Sequence, residues 1–162
     1  MTTSTTPGKA YRVEVHNNGA TVAIGDPADL GFQKVPALLQ PLPGVVDVVI
    51  HGLPGRFMEK VHGSYQIEAP IVAQLLVDAG IVTGTPLRLI TCHSAEAPLH
   101  GEPVAQRLAS VWGGPVLGAT GAVLVGNNQI RINLVEWAPD PVGGMQPTVI
   151  GWDQGTWITH NP

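Results

Sequence analysis

Two chemically reactive side chains lie where hydrophobic segments of the chain end. The nearly continuous β-branched run at residues 45–50 stops at His51-Gly52, and the apolar segment at residues 87–91 leads directly into Cys92. A thiol and an imidazole that lie close together can act as nucleophile and proton acceptor in an attack on a carbonyl carbon. The sequence therefore predicts Cys92 as a nucleophile and His51 as a general acid/base.

The segments around these residues are predicted to bring them together at one edge of a sheet. The run at 45–50 suits a strand buried on both faces, and the apolar residues between 70 and 79 recur at helical spacing up to Gly80. A strand at 87–91 follows. Because functional residues gather at the carboxyl ends of parallel strands, we expect the two strands to be adjacent and parallel, with His51 facing Cys92. The backbone N–H groups of Gly52 and Cys92 would then stabilise an oxyanion, and the thiol would have a lowered pKa.

The rest of the chain predicts an α/β fold. Strands that alternate with helices imply a three-layer sandwich with a mostly parallel central sheet and helices on both faces. The turn signal at residues 17–19 predicts an N-terminal β-hairpin, and a C-terminal β-hairpin is predicted at 148–152 and 156–159. Residues 1–10 are predicted to be a disordered lead, and residues 11–162 to be a single domain. The remaining predicted elements are helices within 32–42 and at 104–112, and strands at 115–119, 122–125 and 130–135.

Composition narrows the partners of the domain. The formal net charge is -4 and no Lys/Arg cluster is present, which argues against nucleic acid as a partner. No apolar run approaches the roughly 20 residues of a membrane span, and the first residues do not resemble a signal peptide. A soluble protein is predicted, either cytoplasmic or exported by a route without a signal peptide. Only 12% of the residues are charged, so much of the surface must be apolar or neutral. Neutral loops, a homo-oligomer interface or attachment to a larger polypeptide would explain such a surface.

Other readings of the same residues stay open. His93, next to Cys92, is a second candidate base, ranked below His51 because neighbouring residues at a strand end tend to point in opposite directions. Neither a metal nor a cofactor is predicted, because no HExxH or paired-cysteine spacing is present. Since Cys92 is the sole cysteine, an internal disulfide is excluded, and a buried structural thiol is the alternative to a nucleophile.

Two blocks of the sequence, 45–52 and 87–92, together resemble the caspase-like cysteine peptidases, the group that contains caspases, legumains, gingipains and clostripain. In that group each catalytic residue follows a hydrophobic block, and the histidine precedes the cysteine. The longer stretch from His51-Gly-Leu-Pro-Gly55 through Cys92-His-Ser-Ala95 to the segment at 105–109 also resembles caspase-like modules of large bacterial secreted proteins and polymorphic toxins.

The resemblance implies a peptidase that acts on a protein or peptide substrate, as an effector or processing domain of a bacterial toxin-type protein. It assigns Cys92 as nucleophile, His51 as proton donor and acceptor, and Gly52 as oxyanion donor. Two alternatives remain open. One is a non-catalytic binding or interaction module on the same fold. The other is an effector that uses the Cys/His pair for deamidation or acyl transfer.

Overall fold

A seven-stranded sheet forms the centre of the molecule in the computed structural model, which describes residues 3–5, 11–61, 65–126 and 129–162. Its strands, in spatial order, are β1 (Thr3–Thr5), β2 (Arg12–His16), β3 (Thr21–Gly25), β4 (Val46–Val49), β8 (Leu87–Ile90), β9 (Val116–Ala119) and β13 (Trp157–His160). Two smaller sheets of three strands each accompany it. The first has the order β5 (His51–Leu53), β6 (Arg56–Met58) and β7 (Gln66–Ile67). The second has the order β10 (Ala122–Gly126), β11 (Gln129–Pro139) and β12 (Met145–Gly151). The α-helices of the described residues are α1 (Leu30–Leu38), α2 (Ala69–Asp78) and α3 (Val104–Trp112).

The four central strands are parallel and the outer ones are not. β3 pairs with β4, β4 with β8 and β8 with β9 in parallel, which confirms the prediction that the strands before His51 and Cys92 are parallel neighbours. β1, β2 and β13 run antiparallel to their partners. The predicted α/β class is therefore confirmed, whereas the central sheet is mixed, with parallel strands at its centre and antiparallel strands at its edges, and not the mostly parallel sheet expected. Strands joined through a helix run parallel, whereas the N-terminal hairpin and the returning C-terminal strand add antiparallel pairs at the two edges.

The two ends of the chain differ in how well the sequence predicts them. The N-terminal hairpin is confirmed, since β2 and β3 pair antiparallel around a turn in which Asn17 and Asn18 adopt positive φ angles of 53° and 54°. The predicted C-terminal hairpin is wrong, because β12 pairs with β11 and β13 pairs with β9. The predicted disordered lead, residues 1–10, contains β1, and the other residues of this segment lie outside the described ones.

Both faces of the central sheet are covered. One face packs against α2 and α3 through a buried cluster that includes Val48, Leu89 and Trp112. On the other face Val49 and Ile90 pack with α1 and with residues of β10 and β11. Strand alternation explains the division, because successive side chains of β4 and β8 point to opposite faces. None of the described helices is long and apolar enough to span a membrane.

His160, in β13, gives the fold a predicted sensitivity to acid. Its side chain is buried, its Nε2 has no hydrogen-bond partner among the described residues, and burial lowers its pKa below the usual 6.5. Because the unfolded chain binds this proton at a higher pH than the folded chain, stability is full above about pH 6.5 and falls as the pH drops below that value. We expect His160→Gln to remove part of the loss in urea stability between pH 7.5 and pH 5, an effect below about 1 kcal/mol. The exposed His100, changed to Gln, serves as the control, and an equal effect there would contradict the assignment.

Candidate functional site

The site lies where β4 and β8 end and the chain leaves the sheet. Val49 stands opposite Ile90 in the parallel register, and two residues further along the two segments reach His51 and Cys92. Alternation therefore directs both side chains to the face of the sheet that carries α1. His51 is the first residue of β5, so the strand predicted at 45–50 ends one residue early and the histidine begins the small sheet.

The imidazole of His51 is held by the start of α1. Its Nε2 lies 2.7 Å from Oδ2 of Asp29, and the two side chains are 26% and 11% exposed. Asp29 is also the N-cap of α1, since the same oxygen accepts a hydrogen bond from the N–H of Phe32 at 3.0 Å. A Cβ atom on Gly31 would lie 3.2 Å from Nε2 of His51, so the glycine allows the ring to approach the helix closely. These contacts fix the orientation of the ring.

Asp29 is the member of this site that sequence reasoning missed. An aspartate directly before a helix is a recognised N-cap signal, so its local role was accessible from the sequence. Its pairing with His51 was not, because the two residues are separated by 22 positions and only the parallel pairing of β3 with β4 brings the loop after β3 to the end of β4.

The thiol of Cys92 is half-buried beneath β10. Its Sγ accepts a hydrogen bond from the N–H of Val123 at 3.3 Å and lies 3.9 Å from the carbonyl oxygen of the same residue. Burial raises the pKa of the Cys92 thiol, the Val123 N–H acts in the lowering direction, and the charge of Glu96 adds to the rise. The expectation of a lowered pKa is therefore wrong, because the desolvation by β10 outweighs the favourable contact. Among the described residues, no hydrogen bond joins the thiol to His51.

Gly52 is in direct contact with the segment that carries the cysteine. A Cβ atom at this position would lie 2.5 Å from the carbonyl oxygen of Cys92 and 2.5 Å from Cγ2 of Thr91. Any side chain here would collide with the backbone, so the glycine permits the close approach of the two strand ends. Its role as an oxyanion donor stays a prediction.

His93 occupies a different environment from His51. It is 5% exposed, its φ angle is 61°, and its Nδ1 lies 3.0 Å from Oε2 of Glu96. Its ring centroid is 4.9 Å from that of Trp137. The second candidate base thus contacts a carboxylate and an aromatic ring.

Two cavities meet at His51 and Cys92. The first, here called the outer cleft, has a volume of about 610 Å³ and is also lined by Gly52, His93, Arg56, Lys60 and Trp137, among others. The second, here called the inner cavity, has a volume of about 80 Å³ and lies between the sheet, α1 and β10. Both His51 and Cys92 line both spaces, so a group bound between them has access to the thiol and the imidazole together.

The predicted site residues are therefore neighbours around one cleft, and the structure adds Asp29 to them. Within the described part of the chain, no group of three or more His, Cys, Asp or Glu side chains is arranged to hold a metal ion.

The fold and the site define the class of domain. It is an α/β domain with a mixed central sheet, and a cysteine, a histidine and an aspartate lie near the ends of its central strands. The chain belongs to the family DUF8616, a domain of unknown function, whose family model matches residues 20–156. That range contains Asp29, His51, Gly52, Cys92 and His93. No curated protein and no solved structure matches the chain.

Proposed function

We propose that this domain is a caspase-like cysteine hydrolase, a peptidase in which Cys92 is the nucleophile and His51 the general acid/base. The observation that carries the proposal is that His51 and Cys92 follow two adjacent parallel strands and line the same cleft. The carboxylate of Asp29 on the imidazole supports it, because such a carboxylate orients the ring and stabilises the imidazolium that forms during acyl transfer.

The proposed reaction begins with a neutral thiol. Because burial raises the pKa of Cys92, the nucleophile is formed as the substrate is attacked and is not present beforehand as a thiolate. Nε2 of His51 is engaged by Asp29, which leaves Nδ1 to accept the thiol proton. The sulfur electron pair forms the bond to the substrate carbonyl carbon, and the C=O π electrons move to the oxygen.

The tetrahedral intermediate then collapses to a thioester. The carbonyl re-forms, the C–N bond breaks, and the leaving amine takes the proton from His51. Water attacks the thioester, gives one proton to His51, and releases the acid, while the proton returns to the sulfur. Asp29 keeps its charge throughout. The two steps share one imidazole, first as a base and then as an acid.

The outer cleft supports a peptide as the substrate. Its volume of about 610 Å³ is within the range of typical ligand sites. Its walls combine apolar side chains such as Leu53, Met58 and Trp137 with the basic Arg56 and Lys60. An extended segment of several residues can lie along such a surface. The resemblance to caspase-like modules suggests that the substrate is a protein and that the domain works as an effector or processing unit of a bacterial toxin-type protein.

A second candidate is a non-catalytic interaction module on the same fold. The observation that favours it is the enclosure of the thiol, since the Val123 N–H bonds to Sγ and burial raises the pKa of Cys92. In that case Cys92 is a small core residue, and the outer cleft binds a partner without chemistry.

Activated esters separate these two candidates. With p-nitrophenyl esters of N-acetyl amino acids, we expect a burst of about one p-nitrophenolate per protein, followed by slower turnover, because an acyl-enzyme accumulates. The intact mass should rise by one acyl group, and since Cys92 is the sole cysteine a thiol adduct has a single location. Cys92→Ala should give neither the burst nor the adduct.

The exposed His100 provides the control for incidental ester hydrolysis, so His100→Ala should keep the full burst. A burst that persists in Cys92→Ala would contradict the proposal. A thiol that forms an adduct only after unfolding would support the interaction module. A thioester that transfers to an added amine and not to water would indicate acyl transfer instead of hydrolysis.

A further inference from the structure

The inner cavity is an apolar space that ends on the two reactive side chains. Its walls come from α1, the sheet and β10, and include Phe32, Val35, Val49, Ile90 and Val125. Among the described residues that line it, only His51 and Cys92 have polar side chains. An apolar space with two convergent polar groups is the usual form of a site that selects a small ligand group.

The size of the inner cavity limits what can enter it. Its volume is about 80 Å³, whereas a cavity of about 150 Å³ holds a benzene ring and one water molecule takes up about 30 Å³ of liquid. A branch of about one to three carbon atoms therefore fits, and an aromatic ring does not. A charged branch is disfavoured, because no lining side chain carries an opposite permanent charge and desolvation would be uncompensated.

The two cavities hold different parts of a bound substrate, on either side of its carbonyl group. A peptide chain is too large for the inner cavity, so the backbone and the leaving group must remain in the outer cleft. The group that enters the inner cavity is then a side chain attached close to the attacked carbonyl. We propose that the inner cavity is the specificity pocket for the residue whose carbonyl Cys92 attacks, and that it selects a small aliphatic side chain, alanine to valine in size. This inference rests on the proposed cysteine hydrolase.

The same series of p-nitrophenyl esters tests the selectivity, with N-acetyl glycine, alanine, valine, phenylalanine and glutamate as acyl groups. Each buried methylene is worth a several-fold gain in rate, so kcat/KM for acylation of Cys92 should rise about 10- to 100-fold from glycine to valine. It should fall at least about tenfold from valine to phenylalanine or glutamate. Equal rates across the series, with an acyl-enzyme formed, would overturn the pocket and leave the hydrolase in place.

Variants of β10 and α1 locate the selectivity in the cavity. Val125→Ala enlarges the inner cavity and should move the preference from valine toward leucine and phenylalanine. Val35→Phe fills the cavity and should remove the advantage of valine over glycine. The matched control is Leu124→Ala, because Leu124 is 48% exposed and lines neither cavity. A shift in Leu124→Ala as large as that in Val125→Ala would contradict the assignment.

A second reaction keeps the test independent of hydrolysis. Alkyl methanethiosulfonates transfer an alkylthio group to the sulfur of a cysteine, so that an S–S bond forms, methanesulfinate leaves and the thiol proton passes to the solvent. We expect Cys92 to react at least about tenfold faster with the propyl reagent than with the benzyl or sulfonatoethyl reagents, and Val125→Ala to reduce that difference. If no ester acylates Cys92 but this pattern holds, the hydrolase is wrong and the inner cavity still binds small aliphatic groups. If neither reaction discriminates by size, the pocket is wrong.

Discussion

His51→Ala is expected to lower the rate of Cys92 acylation by about 10²- to 10⁴-fold, the usual range for a general base, and to leave the thermal melt nearly unchanged. Burial raises the pKa of the Cys92 thiol, so its proton must be accepted as the sulfur attacks, and His51 is the proposed acceptor. The side chain of His51 is 26% exposed, so its truncation leaves no large cavity. Single-turnover release of p-nitrophenolate measures the rate, and His100→Ala is the matched control.

Asp29→Asn tests whether the carboxylate acts through His51. Asparagine caps a helix about as well as aspartate, so α1 should keep its start. The substitution removes the negative charge of the carboxylate that contacts the imidazole of His51. We expect a loss of about tenfold or more, no larger than that of His51→Ala, and a double variant no slower than the His51 variant alone, because residues that act as one unit are not additive. An unchanged rate in Asp29→Asn would reduce Asp29 to a helix cap.

The adjacency of the two strands could be predicted from local patterns. The β-branched run at 45–50 and the apolar segment at 87–91 are separated by one amphipathic helix, and a right-handed crossover then makes the strands parallel neighbours. This places His51 beside Cys92 without any knowledge of the remaining chain. The helix at 104–112 was equally accessible, since its apolar residues recur at helical spacing and Gly113 ends it with a φ angle of 79°.

The features that the sequence did not reveal all depend on distant pairing. The carboxyl-terminal strand β13 joins β9, not β12, because the edge of the central sheet offers a partner that no local signal announces. β11 extends to Pro139, beyond the strand expected at 130–135, and its neighbour β10 covers Cys92. The elevated pKa of the thiol follows from that cover. A prediction built on the strand ends alone assumed an open edge, and therefore gave the wrong direction for the pKa.

A buried ion pair in the central sheet was also not predicted, because its aspartate lies within an apolar run of the sequence. Asp47 lies within the run at 45–50, and the register places it directly opposite Arg88 on β8. Nε of Arg88 donates to Oδ1 at 2.6 Å and its second guanidinium nitrogen donates to Oδ2 at 2.9 Å. The side chains are 0% and 10% exposed. The pair therefore crosses from β4 to β8, two residues before Val49 and Ile90 and on the same face.

Asp47→Ala is expected to destabilise the fold by about 3–5 kcal/mol, the usual cost of removing one partner of a buried ion pair. The guanidinium of Arg88 would keep only a 3.5 Å contact with the carbonyl of Gln40 and the ring of Trp157, 5.9 Å away, neither of which offsets its charge. Urea unfolding measures the loss, and Asp78→Ala on the surface of α2 should cost about 1 kcal/mol or less.

Replacing both partners separates the charge from the packing. Asp47→Leu with Arg88→Met removes the two charges together and keeps apolar volume between α1 and the sheet, so the double variant should recover most of the loss or exceed wild-type stability. The free energy of unfolding of Asp47→Ala could instead lie within about 1 kcal/mol of the wild-type value. Water or a rearranged partner group would then reach Arg88, and the ion pair would not be what holds β4 against β8. Recovery in the double variant would show instead that the cost of Asp47→Ala comes from the unpaired charge of Arg88, and that the intact pair adds little net stability because both charges are desolvated.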